Sequence, residues 1–191
     1  MNKKLIVVIV VAIIIFSFFI VLNYSRQTND TAISDYKDAE YLIEGQRVRL
    51  ENGIAETEIP GSASKIITRY FGNELKTDLN GDGREDVVFI LTQERGGSGL
   101  FFYGVAALNT DRGYVGSDGY FLGDRIAPQS TNISQNPRHK YVIVFNYADR
   151  APSEVMTAKP SIGKSVYLKL DPAHMQWGIV EPDFEGESRN D

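Results

Sequence analysis

Oxygen-bearing side chains crowd one short stretch of the chain, Asp78-Leu79-Asn80-Gly81-Asp82-Gly83-Arg84-Glu85-Asp86. Counted from Asp78, its Asp and Asn residues fall at positions 1, 3, 5 and 9. Calcium takes roughly six to eight hard oxygen ligands at about 2.3–2.6 Å. Alternate spacing lets a loop curl around one ion while the intervening side chains point away. Gly81 and Gly83 permit the sharp turn. The main-chain carbonyl of Arg84 supplies the seventh position, and Asp86 closes the set directly or through water. The expected ligands of a structural Ca2+ are therefore Asp78, Asn80, Asp82, Arg84 and Asp86. The plainer reading is an Asx-type turn, in which Asp and Asn side chains accept backbone N–H bonds. Three carboxylates so close together repel one another unless a cation lies among them, which favours the ion.

This nonapeptide resembles the calcium loops of dockerins, EF-hands and the FG-GAP segments of integrin-like propellers. An EF-hand needs a bidentate Glu at its twelfth position, where this chain has Phe89. The exit, Val87-Val88-Phe89-Ile90, reads as a strand and not as a helix. The closer likeness is to the FG-GAP type. A propeller repeats the motif in several blades and this chain carries it once, so the likeness extends to the loop and not to the fold.

Other groups carry weaker chemistry. Asp124-Arg125 and Asp149-Arg150 each precede a proline, Pro128 and Pro152. They could line a polar cleft for a peptide or glycan, with Arg making bidentate contacts. The plainer reading has them bracing loop ends. Gly96-Gly97-Ser98-Gly99 lacks the Gly-Lys-Ser/Thr ending and the following helix of a phosphate loop, so it reads as a turn. His139 and His174 are the only histidines, and no Gly-x-Ser-x-Gly elbow presents a serine nucleophile. Asn132-Ile133-Ser134 is a glycosylation sequon, relevant only in a eukaryotic secretory pathway.

The elements that position these groups are mostly strands. Asp86–Thr92 (DVVFILT), Leu100–Leu108 (LFFYGVAAL), Tyr141–Tyr147 (YVIVFNY) and Ser165–Leu170 (SVYLKL) are β-type runs separated by Gly or Pro. Arg47–Leu50 alternates, and Asn52-Gly53 marks a tight hairpin turn before Ile54. Ser64–Phe71 fits a short helix or a strand. No long helical period appears after the N-terminal run. The expected fold is mainly β, antiparallel and sandwich- or barrel-like, with at most one or two short helices, preceded by one transmembrane helix.

That N-terminal run, Leu5–Leu22, reads LIVVIVVAIIIFSFFIVL, with Ser17 its one polar side chain. As a helix it rises about 27 Å, close to the roughly 30 Å of bilayer hydrocarbon. Lys3 and Lys4 place the N-terminus in the cytoplasm, with Tyr24 at the far interface. A cleaved signal peptide fits less well, because the run is long and ends without an A-x-A site. The chain thus divides into an anchor over residues 1–23, a polar linker over 24–37, an extracytoplasmic β-rich domain over 38–184 and a disordered tail over 185–191.

Composition narrows the partners. Of 20 basic residues, Lys3 and Lys4 precede the anchor, leaving 18 against 25 acidic ones, a formal charge of −7. Such a surface repels phosphate, so no nucleic acid partner is expected. The chain has no cysteine, which excludes disulfides, thiolate nucleophiles and a lipidated N-terminal cysteine.

From about Tyr41 to Leu170 the chain is also similar to an uncharacterised domain of bacterial membrane-anchored and secreted envelope proteins. The likeness rests on Thr68-Arg69-Tyr70-Phe71-Gly72-Asn73-Glu74, the Asp-rich loop, Gly96–Gly99, Ala107-Leu108-Asn109-Thr110, Leu122–Gln129 and Asn146-Tyr147-Ala148-Asp149-Arg150. It implies an envelope location and supplies no mechanism. The expected function is a membrane-tethered binding or structural module, not an enzyme, stabilised by one calcium ion. The alternatives are an envelope hydrolase or transferase acting on glycan or peptide, or an inhibitor of an extracellular enzyme.

Overall fold

The computed structural model describes residues 33–182. The expected anchor, the linker up to Ala32 and the tail lie outside the described residues. Among the described residues there are twelve strands, and every strand-to-strand ladder is antiparallel. They are β1 (Glu40–Ile43), β2 (Gln46–Arg49), β3 (Ile54–Glu58), β4 (Lys65–Thr77), β5 (Asp86–Glu94) and β6 (Phe101–Thr110). There follow β7 (Gly113–Gly116), β8 (Tyr120–Asp124), β9 (Ala127–Ile133), β10 (Val142–Asp149), β11 (Ile162–Asp171) and β12 (Gln176–Ile179). Among the described residues helix is confined to one short 3-10 turn at Tyr36–Asp38. Among the described residues no helix is long and apolar enough to cross a membrane.

The larger sheet runs β3-β4-β5-β6-β7, with β8 also paired to β6, and the smaller runs β12-β11-β10-β9. Strand β5 explains the arrangement. Its DVVFILTQ run is buried residue after residue because both faces are covered. Val88 and Ile90 point into a core shared with Ile143, Phe145, Val166 and Leu168 of the smaller sheet. Val87, Phe89 and Leu91 point the other way, under Tyr41, Ile43 and Val48 of the β1–β2 hairpin. A hairpin, a central sheet and a second sheet therefore stack as three layers.

Two local features differ from the sequence expectation in detail. Asn52 and Gly53 do adopt positive φ, +53° and +80°. Yet the hairpin closes only at Glu51↔Ile54, after which β2 pairs with β1 and β3 with β4. Burial drives the divergence, since Val48 is needed above the central sheet. The ambiguous Ser64–Phe71 stretch is strand, the start of the long β4. That strand kinks at Gly72 (φ +121°) and Asn73 (φ +51°), where its register with β5 shifts. Packing of the domain already includes Ile33, whose carbonyl accepts from Tyr114 N, and Tyr36, which stacks near Phe89. Both lie in the stretch read from sequence as the end of the linker.

Candidate functional site

The Asp-rich loop is the connection from β4 to β5, spanning residues 78–85, with Asp86 as the first residue of β5. Its side chains form a ladder of Asx turns. Asp78 Oδ1 accepts from Gly81 N at 2.6 Å and Asn80 N at 3.1 Å, and its Oδ2 accepts from Gly83 N at 2.9 Å. Asn80 Oδ1 accepts from Asp82 N, and Asp82 Oδ1 from Arg84 N, each at 2.9 Å. The Asn80 amide also donates to Asp82 Oδ2 at 3.1 Å. Positive φ at Gly81 (+85°) and Gly83 (+83°) turns the chain. A Cβ on Gly81 would lie 2.6 Å from the Tyr141 hydroxyl, which closes over the loop.

Asp86 has a different task. It is fully buried, at 0% exposure. Its Oδ2 accepts from Leu79 N at 2.9 Å and its Oδ1 from Asn109 N at 2.8 Å. One carboxylate therefore ties the start of the loop to the end of β6. Arg84 reinforces the link through an ion pair with Asp111 at 2.9 Å.

The electrostatics of the two ends oppose each other. Amides of Gly81 and then Gly83 hold the Asp78 carboxyl below its ordinary range. Desolvation pushes the Asp86 carboxyl up, its two N–H bonds pull the other way, and the charges of Asp82 and Asp78 add to the rise. Among the described residues no group of three or more His, Cys, Asp or Glu side chains is arranged to hold a metal ion. The loop oxygens close instead on the loop's own amides. Each carboxylate oxygen has two lone pairs, so Asp78 Oδ2, both oxygens of Asp82 and both of Asp86 keep one beyond these bonds. The donor set is thus oxygen-only, as calcium requires, and its buried member carries a charge that lacks a cation at hydrogen-bond distance.

The two Asp-Arg pairs come together, although 25 residues apart in sequence. Arg150 is buried and donates to the carbonyls of Arg125 at 2.9 Å and Asp124 at 2.6 Å. Asp124 accepts from Leu100 N at 2.9 Å and from Arg125 Nη2 at 3.1 Å. Asp149 accepts from Arg150 N at 2.7 Å and pairs with Lys164 at 3.1 Å. Arg150 thus ties the β8–β9 corner to the end of β10, and Asp149 ties that end to β11.

Two arrangements had no clear signal in the sequence. Ser134 Oγ lies 2.7 Å from His139 Nδ1, and Asn136 Nδ2 lies 3.3 Å from His139 Nε2. The Asn136 carbonyl oxygen accepts from Arg138 N at 3.0 Å, and Ser134 Oγ accepts from Asn136 N at 3.3 Å. Elsewhere, His174 Nδ1 meets Asp171 at 2.7 Å beside a hollow of about 330 Å³ that Glu40, Arg47 and Asp118 also line.

No protein family, curated protein or solved structure matches this chain. Its own geometry carries the functional reading.

Proposed function

We propose that this chain is a membrane-tethered extracytoplasmic module of the cell envelope that binds or presents a partner and performs no reaction. We further propose one structural calcium ion at the 78–86 loop. Asp78, Asn80, Asp82, the Arg84 carbonyl and Asp86 would hold it, and it would neutralise the crowded carboxylates. The observation that carries the ion is Asp86: a fully buried carboxylate, raised by desolvation and by its acidic neighbours, at the joint of three strands. A divalent cation offsets that charge more effectively than amide dipoles alone.

The tether rests on the apolar run Leu5–Leu22 and the preceding Lys3 and Lys4. The non-enzymatic reading rests on where the polar groups are used. Arg150, Asp124 and Asp149 hold main chain, and Arg125 pairs with Asp124. Protease treatment of intact cells tests the placement. Digestion of the β domain with retention of a membrane-bound N-terminal fragment supports the tether; full protection, or release of the whole chain by carbonate washing, overturns it.

A further inference from the structure

The connection from β2 to β3 begins as a hairpin and opens at once. Glu51 and Ile54 exchange both main-chain bonds, at 2.8 and 3.2 Å. Continued in that register, Arg49 would face Glu56 and Arg47 would face Glu58, yet β2 pairs only with β1 and β3 only with β4. The alternation of the ladders fixes where the parted groups point. Leu50 N donates to Ala39 O, and Leu42 bonds away from β2, to Ser117 and Gly119. Val48 therefore bonds to β1, while Arg47 and Arg49 turn their N–H and C=O outward. Tyr70 N donates to Gly53 O, so Ala55 and Thr57 bond to β4 while Glu56 and Glu58 turn theirs outward. Both edges look into one groove of about 570 Å³, whose walls include Val48, Arg49, Glu51, Ala55 and Glu56. The far edge of the same sheet is covered. There Tyr114 N donates to Ile33 O, and Ile33 bridges to Gly113 of β7.

We infer that this groove takes an extended peptide of a partner protein, added to β3 as a further strand and carrying a carboxylate for Arg49. The inference deepens the binding role proposed above and rests on it for the existence of a partner. A row of unpaired main-chain donors and acceptors is met best by another main chain, whatever its sequence. Side chains then select. Arg47 is held by Glu40 at 2.6 Å and Glu56 by Lys65 at 2.8 Å, whereas among the described residues Arg49 has no ion pair. An acidic peptide residue lying beside β2 meets that free guanidinium. A second copy of this chain suits the edge poorly, because antiparallel β3 strands would set Glu56 and Glu58 against their own counterparts.

The test selects peptides from a phage-displayed random library on the full chain in detergent. The expected winners are extended sequences with an acidic residue at one fixed position. Their binding should fall at least about tenfold in Glu56→Pro, which removes an outward N–H and leaves the β4 ladder its own bonds. Arg49→Ala should weaken binding by about three- to tenfold and abolish the preference for the acid. Methylation of alternate amides of the selected peptide reads the pairing without altering the protein: one set should abolish binding and the other spare it. No enrichment, or binding indifferent to Glu56→Pro and to both methylated sets, overturns the inference. Self-association of the full chain that Glu56→Pro removes overturns it too, by naming a second copy as the occupant. Protease protection of the domain in intact cells would sink the envelope reading instead, and would leave peptide binding in detergent unchanged.

Discussion

Replacing Asp86 by Ala removes one acceptor group from a buried and a part-buried donor at once. Leu79 N and Asn109 N sit 2.9 and 2.8 Å from its two oxygens, and Asp86 itself is 0% exposed. Leaving a buried N–H without a partner costs about 1–3 kcal/mol. Two such losses are partly offset by relief of a desolvated charge, so the net destabilisation should be about 2–4 kcal/mol. Against a typical total of about 5–15 kcal/mol that is a large fraction. Urea unfolding of wild type and variant, followed by tryptophan fluorescence, reads it as a lower midpoint with an unchanged slope. Asp86→Asn keeps one acceptor oxygen and turns an NH2 toward the other donor, so it should recover only part of the loss. A loss below about 1 kcal/mol for Asp86→Ala would refute the strut, because the two amides would then have other acceptors or access to water.

The remaining predictions concern the same joint and the layers around it. Because the folded-state pKa of Asp86 is raised, the native state binds the extra proton between the ordinary carboxylate range and that higher value. In chelator, stability contributed by this group should therefore rise as pH falls through that window, and Asp86→Asn should abolish the slope in pH-dependent melts. Arg150→Ala should cost about 2–4 kcal/mol, since the carbonyls of Asp124 and Arg125 lose their donor; Arg150→Lys should rescue little, as an ammonium lacks the fork that reaches both. Gly116→Ala should cost about 1–3 kcal/mol in chemical denaturation, because its Cβ would stand 2.2 Å from the Glu40 carbonyl and push β1 off the central sheet.

The sequence showed the strands best where burial is two-sided or alternating. DVVFILT, LFFYGVAAL, YVIVFNY and SVYLKL fall in strands β5, β6, β10 and β11, with only Leu100 and Tyr141 one residue ahead of theirs, because their apolar content is set by the layers on either side. Asn52-Gly53 was legible as a turn, since those residues accept positive φ, while the pairing beyond it was not. Which strand β2 joins depends on Val48 reaching a core built from distant residues. Within the loop, the alternate oxygens were readable, and so was their use as backbone acceptors. The buried role of Asp86 was not, because its second partner, Asn109, lies 23 residues away. The convergence of the two Asp-Arg pairs was equally hidden, being made by a long-range contact of Arg150 with main-chain carbonyls, which no side-chain pattern announces.

Thermal melting in calcium and in chelator, for wild type and Asp82→Asn, tests the proposed ion most directly. Asn at position 82 keeps an oxygen for Arg84 N and gives up only the exposed acceptor of the Asn80 amide, so the turn survives while one charge is lost. Asp78→Ala is a poorer probe, because it also breaks three bonds that hold the loop without any ion. For a site with Kd of about 10⁻⁴–10⁻³ M, about 10 mM calcium should add roughly 1.4–2.7 kcal/mol. That raises the wild-type melting temperature by about 3–10 °C. The expected result is equal melting of the two proteins in chelator and a clearly smaller calcium gain for Asp82→Asn. Superimposed wild-type curves with and without calcium contradict the proposal and leave the loop as a self-sufficient Asx turn.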